Sequence, residues 1–196
     1  MIRKSGGRSM QVAQYLEQAR GADLIILPEM FTTGFSMDSA ALAEPEEGAT
    51  YAWLRGQAAR LDAVVTGSVI IEAADGSHRN RLLWARPDGE VLHYDKRHLF
   101  RMAGEHKHYT PGLQQALFEV NGWRVRPLIC YDLRFPVWSR DPHGTDLLRF
   151  FAQVFRLYWR DPRFLEQMMS LMLPMVRGAN AAPDPAAAER RGPAGD

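Results

Sequence analysis

Hydrophobic positions along this chain fall into short blocks whose period changes from one block to the next. Between Gln11 and Arg20, Val12, Tyr15, Leu16 and Ala19 recur at helical spacing, and Gly21 closes the segment. Leu24-Ile25-Ile26-Leu27 is fully apolar, as a buried strand is, and Pro28 stops it. Phe31 to Ser39 carries threonine, glycine and serine and reads as a loop. A second cycle follows: a helix over Thr50–Leu61, with Trp53, Leu54, Ala58 and Leu61 on one stripe, then a Val- and Ile-rich strand over Ala63–Ile71. Asp75-Gly76 predicts a turn, Arg81–Arg86 a strand, Pro87-Asp88-Gly89 a hairpin turn and Val91–Tyr94 its return. Asn121-Gly122, between Ala116–Val120 and Trp123–Cys130, predicts another hairpin. Helix–strand cycles mixed with hairpins predict an α/β fold, with a mixed sheet covered by helices on one face.

After Arg140 the pattern changes. Leu147, Leu148, Phe151, Val154, Phe155 and Tyr158 follow a period near 3.6, opposite Arg149, Gln153, Arg156 and Arg160. That predicts an amphipathic helix over Asp146–Arg160, and Phe164–Val176 predicts a second, Met-rich one. From Ala179 onward alanine, proline, glycine and charge cannot bury enough to order themselves. The expected division is a core over residues 1–144, an amphipathic helical segment over 145–178 and a disordered tail over 179–196.

Composition narrows the classes of function. With 46% hydrophobic and 24% charged residues, the 196-residue chain has the make-up of a globular protein: one domain, or one domain plus a tail. Lys and Arg number 24 against 23 Asp and Glu, so the net charge of +1 gives nucleic acid no electrostatic footing. No apolar run is long enough to span a membrane, and the basic start, Met1 to Met10, is followed by no apolar signal core, so the expected location is cytoplasmic. The single cysteine, Cys130, excludes an internal disulfide and a multi-cysteine zinc site.

Cys130 sits at the end of the apolar strand Pro127-Leu128-Ile129, where a side chain faces the loops and the next backbone N–H is available to an oxyanion. A lone cysteine is more often a buried structural residue, and a thiol needs a base or cation beside it to act as a nucleophile. Two other strand ends offer such groups: Glu29, after Leu24–Leu27 and Pro28, and Lys96, just past Val91–Tyr94. Each alone would read as a solvated surface group, but three ionisable types at three strand ends form a constellation.

Leu27-Pro28-Glu29-Met30-Phe31, Tyr94-Asp95-Lys96-Arg97-His98-Leu99-Phe100 and Ile129-Cys130-Tyr131-Asp132-Leu133-Arg134-Phe135-Pro136 closely resemble, in the same order, the signatures of the nitrilase (carbon–nitrogen hydrolase) superfamily. The family's Glu–Lys–Cys triad would fall on Glu29, Lys96 and Cys130, and its further glutamate on Glu105, shortly before Pro111-Gly112. Pro28–Met37 and Arg101–His108 look most like the omega-amidase branch, which hydrolyses the terminal amide of 2-oxoglutaramate and related keto-acid amides. The resemblance implies a four-layer αββα sandwich, no metal or organic cofactor, a small-molecule amide substrate and assembly as a homo-oligomer. It also implies roles: Glu29 as base, Cys130 as nucleophile, Lys96 and the Tyr131 backbone N–H as oxyanion donors, and Glu105 in support. Arg101 and Arg134 are candidates for a substrate carboxylate, because guanidinium binds it bidentately, although each, like Arg97, also reads as a surface or salt-bridge group. A metal site among His98, Glu105, His106 and His108 fits no standard zinc spacing, and no protease signature supports a Cys130–histidine pair.

The resemblance covers about residues 10–140 and departs at both ends. No apolar alternation precedes the first helix, and the family's later strands are not matched after Asp141, although Asp146-Leu147-Leu148 could be a trace of the next one. The expectation is therefore a nitrilase-like sandwich truncated at both ends, with a non-family helical segment behind it. Two readings stand: an active thiol amidase, or an impaired remnant acting as an interaction protein. Another carbon–nitrogen hydrolase, a nitrilase or a carbamoyl amidase, is the alternative within the family.

Overall fold

Residue parity along the strands decides which way each side chain faces, and it builds the layers of this protein. The computed structural model describes residues 16–139, 145 and 147–151. Residues 16–18 are helical. After them come β1 (Leu24–Ile26), α1 (Ser39–Leu42), β2 (Glu44–Pro45), α2 (Ala49–Leu61), β3 (Val64–Glu72), β4 (His78–Ala85) and β5 (Val91–Asp95). Then follow β6 (Phe118–Val120), β7 (Trp123–Ile129), α3 (Pro136–Ser139) and β8 (Leu147–Phe151). Short 3-10 turns occupy Arg101–Ala103, Glu105–Lys107 and Cys130–Arg134.

The strands form two sheets rather than the one mixed sheet that the hydrophobic pattern suggests. The first runs β1-β3-β4-β5, with β1 parallel and β4 antiparallel to β3, and β2 on β3's far end. The second runs β6-β7-β8. Ile25, Leu27, Val65, Val69, Ile71, Leu83 and Ala85 face outward from the first sheet and pack with Leu16, Ala19, Tyr51, Leu54, Ala58 and Leu61 of the helices. Their neighbours of opposite parity, Leu24, Val64, Leu82, Trp84 and Tyr94, join Phe118, Val125 and Ile129 of the second sheet in another cluster. A continuous apolar strand such as β3 is thus apolar on both sides because both sides are covered. Helix, sheet and sheet are three of the four layers that the resemblance implies. Both hairpin turns have the backbone their residues require, with positive φ at Gly89 and at Asn121 and Gly122.

One expectation fails. The helix read over Asp146–Arg160 does not begin as one, because residues 147–151 form β8, paired parallel to β7 from Val125↔Leu147 to Ile129↔Phe151. Leu147-Leu148-Arg149-Phe150-Phe151 is a short apolar run, and periodicity alone does not distinguish a buried strand from a helix at that length. The partner strand decides it. The rest of the segment expected to be helical, the tail over 179–196 and the start of the first helix at Gln11 lie outside the described residues. Among the described residues, no helix is long and apolar enough to cross a membrane.

Two glycines separate close packing from open space. The Gly112 N–H donates to the Lys96 carbonyl (2.9 Å), and a Cβ at Gly112 would lie 2.8 Å from the Asp95 carbonyl carbon, where backbone cannot yield. Gly56, on the exposed side of α2, has nothing within 4 Å of its would-be Cβ. In urea unfolding, Gly112→Ala is expected to cost about 1–3 kcal/mol and Gly56→Ala to stabilise by about 0.5–1 kcal/mol. Equal midpoints for the two variants would contradict this packing.

Candidate active site

Lys96 leaves the end of β5 and is 1% exposed, so its ammonium needs partners inside the protein. It has two. Lys96 Nζ lies 2.8 Å from Glu29 Oε1, and 2.9 and 3.1 Å from Glu105 Oε2 and Oε1. Glu29 is 3% exposed and Glu105 fully buried. The Phe35 ring adds a face 5.6 Å from Nζ. Burial alone would favour the neutral amine. The charges of Glu29 and Glu105 outweigh it, raise Lys96 above its ordinary value and keep it an ammonium.

Each of these groups is fixed by the chain around it. Pro28 ends β1, and the next turn is tied to β3: Met30 N–H donates to Ser68 Oγ (2.8 Å) and Phe31 N–H to the Ser68 carbonyl (3.1 Å). Met30 has a positive φ, which aims Glu29 into the protein as the chain doubles back. Lys96 is held at both ends of its peptide unit, donating N–H to the Asn80 carbonyl (3.0 Å) and accepting from Gly112. Glu105 follows Gly104, whose positive φ turns the chain, and accepts Phe100 N–H at 2.5 Å.

Cys130 begins the turn after β7 in the left-handed region, φ 45°, a conformation that costs about 1–2 kcal/mol in a residue with a Cβ. Asp132, fully buried, holds that turn. It accepts from Ile129 N–H (3.1 Å), His98 N–H (2.7 Å) and the Tyr94 hydroxyl (2.8 Å), with His98 Nδ1 at 3.0 Å. Trp138 Nε1–H donates in turn to the Tyr94 oxygen (3.0 Å), and His98 stacks on Phe135 at 3.7 Å. The strained residue is therefore bolted to β5, the strand that delivers Lys96. Its thiol is in electrostatic contact with the Glu29 carboxylate and the Lys96 ammonium. Burial, then the negative charge of Glu29, pushes the thiol up to about 12 against the opposing pull of Lys96. At neutral pH the resting sulfur is a thiol beside a carboxylate.

The structure thus brings buried Glu29, Lys96 and Glu105 together with the half-buried Cys130 in one cluster. Tyr131 lies in the same turn, its ring edge-on to Phe100 and Phe135. Arg101 and Arg134 are exposed, and among the described residues neither donates to Glu29 or Glu105. Arg97 instead donates to the Gly112 carbonyl (3.2 Å) and lies over Trp138. His98, weighed above as a metal ligand, is occupied by Asp132 and Phe135. Sequence reasoning missed Asp132 and Asn80. Asn80 has a signal in retrospect, as a neutral polar residue in a strand that continues Leu82-Leu83-Trp84.

A two-sheet sandwich carrying a strand-end cysteine with a lysine and two glutamates is the arrangement that the sequence resemblance implies. The model of the carbon–nitrogen hydrolase family matches residues 7–190, and the chain belongs to that family. It is 52% identical over 137 residues to omega-amidase YafV of Yersinia enterocolitica, covering 70% of this chain and 53% of the relative. With omega-amidase YafV of Escherichia coli K12 it shares 46% over 150 residues, 76% of this chain and 56% of the other. A 2-oxoglutaramate amidase of Bacillus subtilis is 31% identical over 162 residues, 80% of this chain and 60% of that protein. XC1258 from Xanthomonas campestris, a CN-hydrolase superfamily protein whose crystal structure has an arsenic adduct in the active site, superposes with TM-score 0.70 at 42% identity. That match covers 80% of this chain and 63% of XC1258. The chain spans about half the length of the YafV relatives it matches.

Two outcomes follow from the geometry. Asp132→Ala leaves buried donors on Ile129, His98 and Tyr94 without their acceptor and should cost about 3 kcal/mol in urea unfolding, with Asp132→Asn milder. An unchanged midpoint would show that the four contacts carry no net weight. Alkylation of Cys130 by iodoacetamide should still be accelerating at the pH where an ordinary thiol, of pKa about 8.5, has levelled off. A plateau there would contradict the raised thiol.

Proposed function

We propose that this protein is a thiol amidase that hydrolyses the terminal amide of small 2-oxo acid omega-amides, of the 2-oxoglutaramate type, to the acid and ammonia. The observation that carries the reading is the Lys96 ammonium held 2.8 Å from the Glu29 carboxylate, with the Cys130 thiol in electrostatic contact with both. The names of the relatives from Yersinia, Escherichia coli and Bacillus support the substrate class.

The reaction follows from the charge states. A thiol at about 12 is roughly 10⁻⁵ thiolate at neutral pH, so the proton must leave as the sulfur attacks. Glu29 takes it while Cys130 Sγ bonds to the amide carbon. The carbonyl oxygen becomes an oxyanion, stabilised by the Lys96 ammonium and the Tyr131 N–H. Glu29 returns the proton to the departing nitrogen, the C–N bond breaks, and ammonia leaves a thioester on Cys130. Water then attacks the thioester, giving its proton to Glu29, and the acid departs as the thiol reforms. Glu105, with its two contacts to Nζ, keeps the ammonium aimed at this space. A reducing compartment suits a reaction that depends on one free thiol. Assembly as a homo-oligomer, expected of the family, belongs to the same reading.

Ammonia release from 2-oxoglutaramate by the purified chain is the direct test. Cys130→Ala should abolish turnover and acyl-adduct mass, and Glu29→Gln and Lys96→Ala should each lower kcat by about 10²–10⁴. A neutral amide of the same length should be a poorer substrate, and Arg101→Ala or Arg134→Ala should erase that preference if either binds the carboxylate. Turnover surviving in Cys130→Ala would remove the thiol mechanism. Equal efficiency for the two amides would reduce the assignment to a carbon–nitrogen hydrolase without carboxylate recognition.

A further inference from the structure

We propose that Asn80 is a positioning residue of this site, fixing the two carboxylates on either side of Lys96 and choosing which oxygen of Glu29 serves as base. The inference rests on the amidase reading above. Asn80 lies in β4 and is 1% exposed, with the parity of Leu82 and Trp84, so its side chain faces the space between the sheets. A primary amide nitrogen carries two hydrogens, and here each has its own carboxylate: Nδ2 is 2.8 Å from Glu29 Oε1 and 3.0 Å from Glu105 Oε1. The reverse orientation would set a carbonyl oxygen against two carboxylates, so the chemistry fixes the amide as described. The Asn80 backbone carbonyl also accepts the Lys96 N–H. One residue therefore touches both carboxylates through its side chain and the backbone of Lys96 through its main chain.

The consequence for the base is specific. Lys96 and Asn80 both donate to Oε1 of Glu29, which leaves Oε2 to receive the thiol proton. Two carboxylates share one ammonium, and the amide stabilises the excess negative charge without introducing a second cation that would compete for it. Tyr109, also in electrostatic contact with Glu29 and Glu105, is raised well above its ordinary range by burial and by those charges, so it stays neutral while the cluster works. Without Asn80, Glu29 and Glu105 lose the donor that spans them, and the orientation of Glu29 towards the thiol is no longer fixed.

Cys130 is the chain's only cysteine, so its alkylation by iodoacetamide reports on the site without turnover. At neutral pH, Glu29→Gln should slow alkylation, because it removes the base beside the thiol. Asn80→Ala should slow it roughly tenfold, with kcat falling and KM little changed where turnover is measured. Asn80→Ser, with one donor left, should lie between, and a wild-type-like circular dichroism spectrum identifies the variants that fold. A wild-type alkylation rate in a folded Asn80→Ala or Asn80→Ser overturns the positioning role while leaving Glu29 as base. A wild-type rate in Glu29→Gln overturns the general-base reading, and this inference with it.

Discussion

An ammonium buried out of reach of water is the constraint around which this protein is arranged. Removing Lys96 from solvent costs several kcal/mol unless partners replace its hydration, and a single carboxylate leaves its other hydrogens wanting. Glu29 and Glu105 supply the partners, but they overcompensate and create a net negative pocket. Burial, with that excess added to it, keeps the Cys130 proton on its sulfur. The same groups that make the lysine tolerable make the thiol a poor acid, and in the proposed reaction this ties ionisation of the nucleophile to its attack. A lone thiolate would be more reactive towards any electrophile, whereas a thiol with a base beside it waits for a carbonyl placed within reach of both.

The sheets exist to hold this arrangement. Glu29 arrives from β1, Lys96 from β5 and Cys130 from β7, so both sheets contribute. Their relative placement rests on Leu24, Val64, Leu82 and Trp84 meeting Phe118, Val125 and Ile129, and on Asp132 bonding the cysteine turn to Tyr94 and His98. Apolar packing sets the distance between the sheets, and the buried carboxylate sets the register of one turn against one strand. Neither could do both. Packing is non-directional, and a hydrogen-bond network with no packed support would exchange its partners for water.

Much of this was legible in the sequence, for reasons that also explain what was not. β3, β4, β5 and the Asn121-Gly122 hairpin are local signals: apolar runs, β-branched residues and turn dipeptides act within a few positions. Glu29, Lys96 and Cys130 stood out because each follows such a strand. Asn80 and Asp132 did not, since their importance lies in partners 51 and 38 residues away, Glu29 and Tyr94, and asparagine and aspartate are common in any chain. The division into two sheets was hidden for a related reason, because a strand's pattern records that it is covered and not by what. At residues 147–151 the error ran the other way. Leu147, Leu148 and Phe151 satisfied a helical period by chance, and a partner strand overruled it.

Two residues with a Cβ adopt the left-handed conformation at this site, Met30 directly after Glu29 and Cys130 itself. A glycine would adopt it freely, yet neither position can be glycine without losing something: Met30 is fully buried in the cluster with Ile70, Leu99 and Tyr109, and Cys130 carries the sulfur. The strain is tolerable because each turn is overdetermined by its neighbours, Met30 by the Ser68 hydroxyl and Cys130 by Asp132 bonding the residue before it. Both devices reverse the chain sharply just where a strand ends, so that the functional side chain leaves the sheet towards the Lys96 ammonium instead of continuing along the strand. Two strand ends bent inward in this way bring Glu29 and Cys130 towards Lys96 at the end of β5, and Glu105 joins them from the turn that follows Gly104.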